Sequence, residues 1–267
     1  MRPGSGSRKK SPATIEKYTR YTKAFILHAG RNPLTKDLVL SFKEYIVSGY
    51  TAAGANGVIA AVNSFLSFLG KTELRVKPLR IQRRLFVPRE KELSRGEYEK
   101  LLSEAERQNK KRLAAVILTL FATGIRVSEL QYITTEALAQ GHAEIRMKGK
   151  TRTIILTGKL CARLHAYAHA QGITSGPIFV TRSGRALDRS NIWKEMKRLC
   201  GQARIAAAKV FPHNLRHLFA RIYYRKIPDL VGLAGIMGHS DINTTRIYTA
   251  ATGAECRRRL ESLHLVV

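Results

Sequence analysis

Two arginines, a lysine, two histidines and a tyrosine stand out in this 267-residue chain as side chains that could do chemistry together. They run in the order Arg126, Lys148, His213-x-x-Arg216, His239, Tyr248. Guanidinium groups are planar, permanently charged and able to give two hydrogen bonds to one oxyanion. Histidine and lysine can take or give protons. A phenol is a nucleophile only after losing its proton, and with a pKa near 10 only on the order of 0.1% is ionised at pH 7. It therefore needs an adjacent base or a positive field, which the other members of the set can supply.

The spacing brings some of these groups together. With FPHNLRHLFARIYY on a helix at about 100° per residue, Leu215, Leu218, Phe219 and Ile222 fall on one side, and His213, Arg216, His217 and Ala220 on the other. The apolar side can pack into a core while a histidine and an arginine one turn apart share a space. Arg126 follows a helix-stopping glycine in ATGIRVSEL, and His239 and Tyr248 lie nine residues apart in GHSDINTTRIYT. A metal reading of His213, His217 and His239 is disfavoured, because no glutamate follows His213 and Arg216 would put a positive charge beside the ion. Gly149-Lys150-Thr151 resembles the end of a phosphate-binding loop, but the glycine needed five residues before Gly149 is Glu144. No cofactor-binding motif is found.

The elements that would carry these residues are mainly helical. Helices are expected from Ser11-Pro12, from Thr35 to Gly49 and from about Gly57 to Leu69, forming a small domain. KTELRVKPLRIQRRLFVPREKEL, Lys71 to Leu93, is basic, broken by Pro78 and Pro88, and reads as a connector whose charges suit phosphates. Ser94-Arg95-Gly96-Glu97 is a capping box opening a second domain. Helices 94–108 and about 112–122 follow. A β-hairpin is expected from Ala143–Met147 and Thr151–Leu156, turning at Lys148-Gly149-Lys150. Further helices are expected at 159–171, 189–203, 213–226, 229–238, 242–248 and 254–264, with a short strand at Ile178–Val180. The fold class is mainly α: a helical N-terminal domain plus an α-rich domain with a small antiparallel sheet. The division is a basic arm at 1–10, a helical domain at 11–81, a basic linker at 82–93 and a second domain at 94–267.

Composition narrows the partner. Lys and Arg number 47 against 19 Asp and Glu, a formal net charge of +28. Such a field draws the chain to polyanions, and because the basic residues are spread along the whole chain, nucleic acid is favoured over a membrane face. With 44% apolar residues a real core can form, and no apolar run approaches the ~18 residues of a membrane helix. The three widely spaced cysteines fit neither a disulfide framework nor a zinc site, so a cytoplasmic setting is expected.

Together TGIRVSEL, MKGKTRTIIL, FPHNLRHLFA and MGHSDINTTRIYT resemble the tyrosine recombinase (phage integrase) family, in order and spacing, from about Ser94 onward. The helical first domain is similar, less specifically, to that family's core-site DNA-binding domain. The resemblance implies Arg126, Lys148, His213, Arg216 and His239 as pocket residues, Glu129 as a supporting group and Tyr248 as the nucleophile. It implies a metal- and ATP-independent strand exchange on double-stranded DNA through a 3′-phosphotyrosine, in a homo-tetramer on synapsed sites, with DNA-bending accessory proteins as further partners. It also implies docking of the C-terminal helix on a neighbouring protomer, and a nucleoid-associated cytoplasmic location. Lys148 and Lys150 both compete for the lysine role, with Lys148 preferred because it directly precedes the turn glycine. A type IB topoisomerase or a non-catalytic DNA-binding regulator on the same fold are the alternative readings.

Overall fold

The computed structural model describes residues 12–81, 92–147, 150–181, 183–239, 241–248, 257–258 and 261–262. The chain divides into two compact units, Met1–Arg84 and Leu85–Val267.

In the first unit three helices, α1 (Pro12–Ala29), α2 (Lys36–Gly49) and α3 (Ala52–Phe68), close over Phe25, Val39, Phe42, Ile46, Val58, Val62 and Leu66. The Thr35 and Thr51 hydroxyls cap α2 and α3 by accepting from Leu38 and Gly54 amides. Helix α3 begins five residues earlier than the expected Gly57. Ala52, Ala53 and Gly54 carry no apolar stripe, so the cap at Thr51 is the only local signal for that start. The first part of the basic connector belongs to this unit. A short 3-10 turn at Thr72–Leu74 leads to a strap whose Val76 is buried in the core. Asn63 donates to and accepts from Val76, and Asn56 does the same with Leu79, so two amides one helical repeat apart on α3 hold the strap in place.

The second unit opens with α4 (Arg95–Arg107), whose capping box at Ser94 and Glu97 is formed as expected. The apolar α5 (Lys111–Thr123) follows and stops at Gly124 in the left-handed conformation. A 3-10 segment, Val127–Tyr132, and a short α6 (Thr135–Gln140) lead into the hairpin β1 (His142–Met147) and β2 (Lys150–Ile155). The strands pair antiparallel, with Ile145 opposite Arg152 and Met147 opposite Lys150. Ala143, Ile145 and Ile154 are buried while Glu144 and Thr153 are exposed, the alternation of a one-sided sheet. Then come α7 (Gly158–Ala170), α8 (Arg189–Ala203), α9 (Pro212–Lys226) and α10 (Leu230–Met237). Helix α5, buried along most of its length, is the central element, packed by α4, α7 and α9.

Two expectations are corrected. Ile178–Val180 is not a strand: Pro177 and Val180 make only isolated bridges, to Thr134 and Ala186. Its apolar run reflects burial of Ile178 and Phe179, not a ladder. The helix expected over 242–248 is two separate 3-10 turns, Ile242–Thr244 and Arg246–Tyr248. The Asp241 carboxylate accepts from the Asn243 amide there and favours a short turn. Helix α6 was not anticipated, being a single capped turn or two. The helix expected over Ala254–His264 falls almost wholly outside the described residues. No helix among the described residues is long and apolar enough to cross a membrane.

Candidate active site

The site is assembled on α9. Its apolar residues Leu215 and Leu218 enter the core, as the helical period requires. Arg216 goes in as well and is 1% exposed, the largest fully buried side chain described. A buried guanidinium must be paired or hydrogen-bonded to be tolerated. Arg216 donates through Nη1 to the Gly124 carbonyl, and through Nη2 to the Met237 carbonyl at 2.6 Å and to His239 Nε2 at 2.9 Å. It therefore ties together the ends of three helices, α5, α10 and α9 itself. Its Nε has no partner among the described residues. Burial, and then the charge of Arg126, bring its pKa down to about 10, which leaves it charged at neutral pH.

The glycine at each helix end makes this convergence possible. Gly124 has φ +64°, and a β-carbon there would lie 2.4 Å from the Phe219 ring. Gly238 has φ +63°, and a β-carbon would lie 2.6 Å from Arg152 Cδ. Both are left-handed stops that a side chain would block.

His239 follows Gly238. Because Arg216 donates to its Nε2, its proton sits on Nδ1 and is given to Thr245 Oγ1 at 2.8 Å. Burial, then the charges of Arg216, Arg126 and Arg152, push its pKa down to about 4. His213 is lowered for the same reasons, burial first and then Arg216, Arg189 and Arg126. His217, weighed from the sequence only as a metal ligand, stands between the others. Its ring meets His213 at 4.5 Å and Tyr248 at 4.8 Å, edge to face in both cases. Burial, then His213, brings it to about 4.

Tyr248 is 4% exposed, in a small apolar cluster with Ala220 of α9 and Leu233 and Met237 of α10. His239 stacks on the ring at 6.0 Å. Burial raises the pKa of the phenol, while Arg216 and then Arg126 oppose that rise.

Arg126 approaches from the other side. Glu129, 1% exposed, accepts from the Arg126 amide at 2.7 Å, from Arg126 Nη1 at 2.9 Å and from Arg152 Nη2 at 2.5 Å. The rest of the Arg126 side chain is 43% exposed and lines an open hollow of about 590 Å³ together with Arg189, His213, Arg216, Asp188 and Phe211. Three guanidiniums and one imidazole around a single carboxylate make this a cationic receptacle for an oxyanion. Asp188 is itself occupied as the cap of α8, accepting from the Ser190 and Asn191 amides. Among the described residues no three His, Cys, Asp or Glu side chains are grouped to hold a metal ion.

Five of the six residues picked from sequence, Arg126, His213, Arg216, His239 and Tyr248, are thus brought into one neighbourhood. Lys148 lies outside the described residues, and Lys150 is the first residue of β2, so the choice between them stays open. Sequence reasoning missed Arg152, Arg189 and Thr245. Arg152 sits inside the quoted MKGKTRTIIL segment, on the buried register of β2, and an arginine at a core-facing strand position is the one signal that could have singled it out.

Comparison with known proteins identifies the family. The tyrosine recombinase XerA of Thermococcus kodakarensis is 30% identical over 267 residues, covering 96% of this chain and 91% of its own. XerD of Halalkalibacterium halodurans is also 30% identical, over 91% of this chain and 89% of its own. Among solved structures, a lambda integrase (75–356) dimer bound to a COC′ core site has the same fold, with TM-score 0.72 and 17% identity over 93% of this chain and 92% of that one. Residues 91–255 match the phage integrase family, and the chain belongs to that family of tyrosine recombinases.

Proposed function

We propose that this recombinase cleaves and rejoins double-stranded DNA at specific sites, with Tyr248 as nucleophile. The observation that carries the reading is the Tyr248 phenol buried against the rings of His217 and His239, with the His239 ring bonded to buried Arg216, beside a hollow lined by Arg126, Arg189 and His213. The Tyr248 oxygen attacks a backbone phosphorus as its proton passes to a neutral imidazole of the pocket. The bond from phosphorus to the 5′-oxygen breaks as the new phosphotyrosine ester forms. Lys148, which follows β1 in the sequence, gives the leaving 5′-oxygen its proton. Arg126 and Arg216 donate to the non-bridging oxygens as charge builds there, the largest expected contribution to the rate, while His239, held between Arg216 and Thr245, positions the Arg216 fork. The energy of the broken ester stays in the 3′-phosphotyrosine, and a partner strand's 5′-hydroxyl reverses the step.

The two-domain reading assigns DNA contacts to both units: the helical domain 11–81 and linker 82–93 grip phosphates while 94–267 carries the chemistry. The +28 charge supports this, and most of the affinity should be salt-sensitive. Solved structures of this fold include a lambda integrase tetramer bound to a Holliday junction, which supports a homo-tetramer on synapsed DNA as the working assembly, with the C-terminal end of each chain docked on a neighbouring protomer. DNA-bending accessory proteins and a nucleoid-associated cytoplasmic location belong to the same reading.

The test is covalent trapping. Duplex DNA nicked just beyond the cut lets the short 5′-hydroxyl fragment diffuse away, so the parent protein should accumulate an adduct mapping to Tyr248, and Tyr248→Phe should form none while still binding. Recombinant joints that require two defined sites support recombination, whereas site-independent plasmid relaxation would establish the topoisomerase instead. Normal DNA binding with no adduct from the parent protein would leave only a DNA-binding regulator.

A further inference from the structure

Arg152 has no role in the reaction as derived so far, yet it is the most constrained arginine outside the set read from sequence. Its side chain is 14% exposed. Nη2 donates to Glu129 Oε2 at 2.5 Å, and Nη1 donates to the Ile236 carbonyl in the last turn of α10. Its Cδ and guanidinium press so closely on Gly238 that a β-carbon there would lie within 2.6–3.0 Å of them. One side chain on β2 thus touches both the carboxylate that holds Arg126 and the turn that delivers His239.

The division of Glu129 is the telling feature. An arginine and a carboxylate left to themselves form a two-bond fork, which would commit two of Arg126's donors to Glu129. Here Oε2 is taken by the Arg126 amide and by Arg152, and Arg126 reaches only Oε1, through Nη1. Arg126 is therefore anchored by one guanidinium bond, with the remainder of its fork turned to the hollow. Like charge also matters: two guanidiniums share one buried carboxylate, so each is held less tightly than it would be alone.

We propose that Arg152 is a positioning residue for strand cleavage: by occupying Glu129 Oε2 and buttressing Gly238, it keeps Arg126 turned toward the scissile phosphate and His239 in line with it. This rests on the reading of Arg126 as a clamp on the non-bridging phosphate oxygens. When Arg152 is replaced, Glu129 Oε2 keeps only the Arg126 amide and regains room for a second donor, so Arg126 can close the fork, retracting from the substrate.

The test compares two DNA substrates in the full-length protein: an ordinary scissile phosphodiester and a methylphosphonate, in which a neutral methyl group replaces one charged non-bridging oxygen. The readout is the ratio of single-turnover cleavage rates, phosphodiester over methylphosphonate. Both rates come from one protein preparation, so the ratio does not depend on what fraction of a variant is folded. Arg152→Met leaves Glu129 still paired with Arg126, and Arg152→Lys keeps the charge but cannot reach both acceptors with one nitrogen. Arg126→Ala should lower the ratio by roughly 10²-fold, the scale for losing one donor to developing charge. Both Arg152 variants should lower it by about 10-fold, with little further change when combined with Arg126→Ala. If the Arg152 variants slow both substrates equally while Arg126→Ala lowers the ratio, Arg152 is only a structural brace and the proposal is overturned. If Arg126→Ala leaves the ratio at the parental value, the clamp reading itself fails, and the proposal with it.

Discussion

Replacing Arg216 by lysine keeps the buried charge but removes the fork, and the structure sets what that should cost. Arg216 Nη1 and Nη2 serve the Gly124 carbonyl on one side and the Met237 carbonyl and His239 Nε2 on the other. A single ammonium cannot stand in both positions, so at least one buried carbonyl loses its donor, at about 1–3 kcal/mol. For a unit of this size each kcal/mol lowers the melting temperature by roughly 2–4 °C, giving a fall of roughly 2–12 °C. The chemical effect should be larger. One donor fewer on the phosphate oxygens costs about 10²–10³ in rate. Single-turnover cleavage of a nicked substrate at saturating protein, run beside a thermal melt, separates the two effects. A rate loss of at least 10²-fold in a protein still folded at the assay temperature is expected. A variant that cleaves within about five-fold of the parent, with a melting temperature within about 2 °C, would refute the assignment of Arg216 as both brace and catalyst.

Gly124→Ala combines a left-handed backbone with a clash on Phe219. It should destabilise by about 2–4 kcal/mol, from roughly 1 kcal/mol of conformational cost and 1–3 of overpacking; a urea titration with an unchanged midpoint would contradict this. Glu129→Gln leaves Arg152 and Arg126 without their shared carboxylate and should cost on the order of 3–5 kcal/mol, so a loss under about 1 kcal/mol in thermal melts would show the pair to be solvated. His217 and His239 stay neutral when folded down to about pH 4, against an ordinary 6.5. The unfolded chain therefore binds more protons between those values, so their contribution is complete above pH 6.5 and is lost as pH falls toward 4. Ring-proton NMR of the DNA-free protein should show two of the eight histidines not yet titrating at pH 5.5, and all eight titrating near 6.5 would contradict the burial argument.

What was legible in the sequence was whatever depends on local chemistry. The Ser94–Glu97 capping box, the stop at Gly124 and the alternation around Ile145 and Ile154 each act within a few residues, and the elements they predict are present. The His213–Arg216 spacing placed two groups on one side of α9 for the same reason. Ile178–Val180 misled because a β-rich run forms a strand only where a partner edge exists, and Ile178 and Phe179 are instead buried between helices. Residues 242–248 misled because the Asp241 carboxylate bonds the Asn243 amide and closes a tighter turn than an α-helix. Arg152 was invisible because its partners are 23 and 84 positions away. Arg189 was likewise outside every motif, its place in the hollow fixed by where Asp188 starts α8.

The same burial acts on the tyrosine and on the histidines in opposite directions. It raises the Tyr248 phenol and lowers His213, His217 and His239, so moving a proton from the phenol to an imidazole is harder in the free protein than in water. The arginines cannot repair this alone, because the positive field that helps the phenol ionise also resists a second positive charge on the ring beside it. What the pocket lacks is an unengaged negative charge, because Glu129 is held by Arg126 and Arg152 and Asp188 caps α8. A DNA phosphate seated against Arg126 and Arg216 supplies one, and it stabilises an imidazolium as the proton leaves the phenol. The nucleophile is therefore poorly ionised until its target is in place, and the coupling needs no moving part beyond the substrate's own charge. This also explains why so many cations are gathered around one carboxylate: their balance is completed by the phosphate, and the carboxylate, divided between Arg126 and Arg152, neutralises only what would otherwise prevent folding.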